Sequence, residues 1–189
     1  MRLKRFAGLA AMLATAAVLA ACASSPSSPA TATPLLRLAP SSLGRELAVV
    51  QQLEVQAAGQ TRSLEVALEA DAQSVRMAFM QLGQTVARLE WDGRQLEQSL
   101  APGWPKVVSA ERVLSDLQLV WWPAEAVRAG LAPGWRLAES PQTRELIYEG
   151  RVVTSVRQLA PEHVELNQRA EGYTVQIRTR GASPSFSAP

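Results

Sequence analysis

Between residues 45 and 180 the hydrophobic positions fall mainly at every second residue. In "TRSLEVALEAD" Leu64, Val66 and Leu68 share one face while Glu65 and Glu69 take the other. Alternation of this period marks a β-strand with one face buried. "SVRMAFMQL" sets Val75, Met77 and Phe79 against Arg76, Ala78 and Met80, so this strand is apolar on both sides. "TVARLEWDGRQLEQSL" reads as a hairpin, with Asp92-Gly93 expected to supply the positive φ angles of a type I′ turn. Gly150 and Gly172 mark similar turns before "RVVTSVRQL" and "YTVQIRTR". The pattern predicts about nine or ten strands joined by short turns, an antiparallel meander.

One stretch changes period. Ser109 is a good N-cap, and Val113, Leu114, Leu117, Val120 and Trp121 follow at helical spacing, with Glu111, Arg112, Ser115 and Asp116 expected on the solvent side. Pro123 ends this helix and begins a second short one, in which Val127 and Leu131 are the buried positions. "LAPGW" occurs on both sides of the helical pair, at residues 100–104 and 131–135, and reads as two similar turns. The expected order is five strands, two helices and four strands. The fold class is therefore mainly β with a helical insertion, a long antiparallel sheet covered by helices.

The first forty residues follow neither period. Residues 1–5 carry Arg2, Lys4 and Arg5 without an acid, and residues 6–20 are almost wholly apolar and small. A charged start and a short greasy run describe a secretory signal peptide, and the run is too short to be a spanning helix. Leu19-Ala20-Ala21-Cys22 ends it and resembles the lipobox of bacterial lipoproteins. That likeness implies cleavage before Cys22, the only cysteine, and acylation of its thiol and new amino terminus. Several acyl chains anchor firmly, since each buried CH₂ contributes about 0.8 kcal/mol. The next residue is Ala23 rather than the Asp that in enteric bacteria commonly retains a lipoprotein at the inner membrane. The expectation is an outer-membrane lipoprotein facing the periplasm. Residues 1–21 are then the signal, 22–40 the lipidated cysteine and a flexible Ser/Pro/Thr/Ala tether, 41–180 the folded domain and 181–189 a disordered tail.

Removal of the signal alters the charge balance. The chain has 19 basic and 17 acidic residues, and loss of the three leader cations leaves 16 basic against 17 acidic. Nothing in this balance points to nucleic acid, which needs a concentrated basic face.

Candidate chemistry is sparse. His163 is the only histidine, and nothing near it resembles a nucleophile elbow. One histidine and one acylated cysteine leave no standard zinc site. Glu65, Glu69 and Asp71 do not form a paired-carboxylate centre, and no glycine loop would cradle a phosphate. No catalytic residue, metal or cofactor is expected, and the chain is read as a monomer and not as an enzyme.

The order of elements, with "MQLGQTVARLEWDGRQL", "WWPAEAVRAGLAPGWRL", "RELIYEGRVVTSVRQL" and "HVELNQRAEGYTVQIR", resembles the LolA/LolB superfamily, and LolB-like outer-membrane lipoproteins most closely. The similarity runs from about Arg45 to Arg180. It implies a curved half-barrel lidded by two or three helices, whose apolar concave side accepts acyl chains from a lipoprotein or other lipid cargo, delivered by a periplasmic carrier. It also implies a membrane-facing loop at Leu82 and Gly83; Gln81 stands where such chains often have proline. Met77, Phe79, Leu89, Trp91, Val113, Leu117 and Trp121 are the candidates for the cavity wall. The competing readings are an envelope scaffold with a filled core and an exposed docking patch, and an envelope hydrolase built around His163.

Overall fold

The computed structural model describes residues 33–104, 108–181, 184 and 186. The elements run β1 (Leu47–Ala57), β2 (Gln60–Ala70), β3 (Val75–Gln81), β4 (Gln84–Trp91), β5 (Leu96–Leu100), α1 (Ala110–Trp121), α2 (Ala124–Gly130), β6 (Trp135–Ser140), β7 (Thr143–Tyr148), β8 (Arg151–Ala160), β9 (His163–Gln168) and β10 (Tyr173–Arg180). Five strands follow the helices, one more than the sequence pattern predicts.

All ten strands belong to one antiparallel sheet in the order β5-β4-β3-β2-β1-β10-β9-β8-β7-β6. The two meanders lie side by side, joined where β1 pairs with β10. The ends of the sheet, β5 and β6, are consecutive in the chain, so the segment between them has to cross the whole sheet. That segment is α1 and α2. Register shifts after Phe79, Leu146 and Gln158 bend their strands. The result is an open antiparallel half-barrel with helices across its inner face.

Turn chemistry explains much of the register. Ala58-Gly59, Leu82-Gly83 and Glu149-Gly150 all have positive φ at both positions, the requirement of two-residue I′ turns, and all three lie at one end of the sheet. The β4–β5 turn differs from expectation. Its central residues are Gly93 and Arg94, with only Gly93 at positive φ, because the Asp92 carboxylate accepts from the backbone N–H groups of Arg94 and Gln95, both at 2.7 Å. Both "LAPGW" stretches form the same turn, the Trp N–H donating to the Ala carbonyl at 3.1 Å for Trp104 and 3.2 Å for Trp135.

Helix α1 is capped as expected: the Ser109 hydroxyl accepts from the Arg112 N–H at 3.1 Å, an interaction contributing about 1 kcal/mol. Its polar side is not solvated, however. Arg112, Ser115 and Gln118 are buried, because residues 33–39 run along that side as an extended strap. Leu36 and Leu38 turn inward and are buried while Leu35 and Arg37 face out. The Leu36 N–H donates to Ser115 Oγ (2.9 Å) and the Leu38 N–H to Gln118 Oε1 (3.0 Å). The Leu38 carbonyl accepts from Gln118 Nε2 (3.0 Å) and from the Trp91 indole (2.8 Å). A side chain at Gly130 would collide with Leu38, so α2 also packs tightly on the strap.

The folded unit therefore begins well before residue 41: of the flexible tether expected over 22–40, residues 33–40 are instead packed into the fold, and residues 22–32 lie outside the described residues. In the expected disordered tail, Phe186 is instead buried and stacked on the Arg144 guanidinium, 4.6 Å from the ring centre. That arginine is itself buried. It donates to the carbonyls ending α1, those of Leu119 (3.0 Å) and Trp122 (2.7 Å), and pairs with Glu139 at 2.7 Å. Cys22 and the leader lie outside the described residues.

Candidate functional site

Core packing is uneven along the strands. Where β2 meets β3 the inner face is filled by Leu68, Val75, Trp91, the strap and Trp122. Towards the opposite end, marked by the Leu82-Gly83 turn, α1 stands away from the sheet and leaves a cavity of about 260 Å³. That is near the lower bound of ligand pockets, about 300–1,000 Å³.

Five of the seven expected lining residues are on its wall. Met77 and Phe79 come from β3, and Val113, Leu117 and Trp121 from α1. Phe79 meets Trp104 edge-on, ring centres 5.4 Å apart, and the Trp104 indole donates to the Val108 carbonyl at 2.9 Å. Leu89 and Trp91 are not on the wall. Both are buried in the filled part of the core, where the strap carbonyl of Leu38 takes the Trp91 N–H.

The sequence reading missed the other half of the wall. Leu53 and Val55 of β1, Leu64 and Val66 of β2, and Val175 and Ile177 of β10 form most of it, with Val86 of β4 and Leu166 of β9. The alternation that identifies these strands also puts these residues on the inner face; what it lacks is the pairing of β1 with β10, which brings the two meanders to one hollow.

Polar groups sit at definite places on this wall. Arg62 and Gln81 lie on the inner faces of β2 and β3, at the end beside Leu82. On the opposite wall Asp116 of α1 accepts from the Tyr173 hydroxyl and, at 2.5 Å, from Gln168 Nε2. Burial pushes the Asp116 carboxyl up to about 7, and the hydrogen bond from Tyr173, the nearby Arg112 charge and the hydrogen bond from Gln168 offset only part of that. Burial, with the Asp116 charge next, also raises the Tyr173 phenol. Arg112 pairs with Glu171 at 2.7 Å and donates to the Thr33 carbonyl at 2.6 Å. Thr33 thus enters the fold beside the β9–β10 turn, at the same end of the sheet as Leu82.

Leu82 is 98 % exposed and has φ of +50°. A leucine in the left-handed region costs about 1–2 kcal/mol relative to right-handed backbone, and here it projects from the tip of a turn with nothing packed on it. Gly83 follows at φ +76°.

His163 opens β9 on the face away from Val164 and Leu166. Its Nε2 lies 2.7 Å from Gln176 Oε1, and the Gln176 amide donates to Glu165, which pairs with Arg157. Among the described residues no three His, Cys, Asp or Glu side chains come together as a metal site, and no helix is long and apolar enough to cross a membrane.

An open antiparallel sheet bridged by helices over a partly hollow apolar interior defines a half-barrel protein with a cavity at one end. Residues 48–181 match a family described as "Protein of unknown function (DUF3261)", and the chain belongs to that family. A search of the curated proteins finds no match.

Proposed function

We propose that this is a LolB-like, non-enzymatic lipoprotein, anchored through acylated Cys22 in the outer membrane and facing the periplasm, that accepts an acyl chain in its half-barrel cavity. The observation that carries this reading is the apolar hollow between α1 and the sheet, whose exposed wall residues Arg62, Pro102 and Gly103 lie at the end of the sheet that carries the exposed Leu82. A scaffold with a filled core would not leave that space. Apolar lining with few polar groups suits a hydrocarbon chain, for which the main gain is removal of CH₂ groups from water.

The placement of Leu82 and Thr33 supports the membrane orientation. Both lie at the same end of the sheet, so a tether of residues 22–32, at most about 40 Å when extended, starts from the end at which the cavity opens. Leu82, with Gly83 behind it, is the apolar tip that would touch the bilayer. Acylated cargo handed over by a periplasmic carrier is the expected partner.

The test is native mass spectrometry of the form beginning at Ala23, with displacement of a fluorescent fatty-acid probe. Saturable uptake that is lost on filling the hollow by Leu64→Trp, with an unchanged unfolding curve, supports the reading. Absence of co-purified lipid together with no probe uptake would overturn it. Phe79→Asp gives a second measure by making the wall polar.

A further inference from the structure

We infer that the cavity takes a single-chain amphiphile with an acidic headgroup, held at the rim by Arg62 and Gln81. This rests on the acyl-chain reading and narrows it to a chemical class.

The argument begins with register. β2 presents Arg62, Leu64 and Val66 to the interior in succession, and β3 presents Met77, Phe79 and Gln81. Each row is apolar inside and ends, at the rim by Leu82, in a hydrogen-bond donor. Arg62 lies opposite Val55 and is the one arginine among the described residues that lines the hollow; like several surface arginines it has no carboxylate within 4.0 Å among those residues, so its guanidinium is free to meet a ligand.

Among the described residues of the wall Asp116 is the only acid, and it lies on the opposite side from Arg62. Both Asp116 oxygens are already engaged, by Tyr173 and Gln168. A ligand tail lying along Leu64, Val66 and Phe79 therefore ends at a guanidinium fork and an amide. A guanidinium offers two parallel N–H groups to a carboxylate, and Gln81 can add a third donor. A cationic head would meet Arg62 with like charge. A neutral head would leave it unmatched.

The experiment uses the full chain carrying Cys22→Ser, with the neutral reporter N-phenylnaphthylamine displaced by dodecanoate or by dodecanol at low ionic strength. In Arg62→Gln, dodecanoate is expected to need about two- to fivefold more ligand for half-displacement, the upper part of the range for a solvent-facing ion pair. Dodecanol is expected to be unaffected. Gln81→Glu should weaken dodecanoate in the same direction. Because Arg62 is exposed, the unfolding curve should not move. Equal effects on both ligands, or none on either, overturn the headgroup assignment while leaving the cavity in place. Failure of both ligands to displace the reporter from the unsubstituted protein overturns the acyl-chain reading, and this inference with it.

Discussion

Gln118 is fully buried in the last turn of α1, and its amide makes a closed pair of bonds with the backbone of Leu38, both at 3.0 Å. Gln118→Leu keeps the size of the side chain and removes both bonds. The Leu38 carbonyl keeps its bond from Trp91, so the carbonyl side loses a net contribution of about 1 kcal/mol. The Leu38 N–H has no other partner and is left buried, at about 1–3 kcal/mol. Extra apolar burial by leucine returns about 1 kcal/mol. The balance is a destabilisation of about 1–3 kcal/mol, a sizeable share of the roughly 5–15 kcal/mol of a typical domain. In urea unfolding, with a slope of about 1–3 kcal/mol per M, the midpoint should fall by about 1 M. Gln98→Leu on the exposed face of β5 serves as the control and should leave it in place. A Gln118→Leu midpoint within about 0.2 M of the parent would refute the strap as a structural element, since no unpaired buried N–H could then have been created.

The pH dependence has a definite sign. The folded value of Asp116, about 7, lies above its ordinary 3.8, so the folded state binds the extra proton between those limits. The Asp116 contribution is fully present below about pH 4 and is lost as pH rises through 7, by up to about 4 kcal/mol. Unfolding curves at several pH values should show this slope relative to Asp116→Asn; no difference between the two slopes would count against it. Arg144→Met removes the nearer of two arginines on the buried Glu139 side chain, leaving Arg128 at 3.8 Å, and frees the carbonyls ending α1; a loss of about 3 kcal/mol, the low end for a broken buried pair, is expected, readable as a lower thermal midpoint, and a parent-like midpoint would contradict it. Leu82→Gly relieves left-handed backbone at an exposed turn and should raise stability by up to about 1 kcal/mol, while reducing co-sedimentation with phospholipid vesicles; unchanged vesicle binding would remove Leu82 from the membrane contact.

The strands, the Ser109 cap and the twin "LAPGW" turns were legible because each depends on neighbours in sequence. What escaped depends on partners far away. Arg112, Ser115 and Gln118 have the periodicity of a solvent face, and only the strap, about eighty positions earlier, makes them interior. The strap itself is short, and Thr33-Pro34 still belongs to the Ser/Pro/Thr/Ala tract; three leucines, Leu35, Leu36 and Leu38, are too few to show a period. Trp91 and Phe79 belong to equivalent inward rows, yet one faces packed atoms and the other a hollow. An alternating pattern specifies direction but not the volume left opposite a side chain.

The pairing of β1 with β10 has a kinetic meaning. Ala57 finds Tyr173 and Val50 finds Arg180 only after nearly the whole chain has emerged. Each meander can zip locally, but the seam between them needs a large loop closure, the kind of contact that slows folding. Until the last strand arrives, β1 has an open side and the hollow has only half its wall. If the chain is exported as proposed, such late completion would keep the polypeptide threadable during passage and defer closure of the hollow to the far side of the membrane.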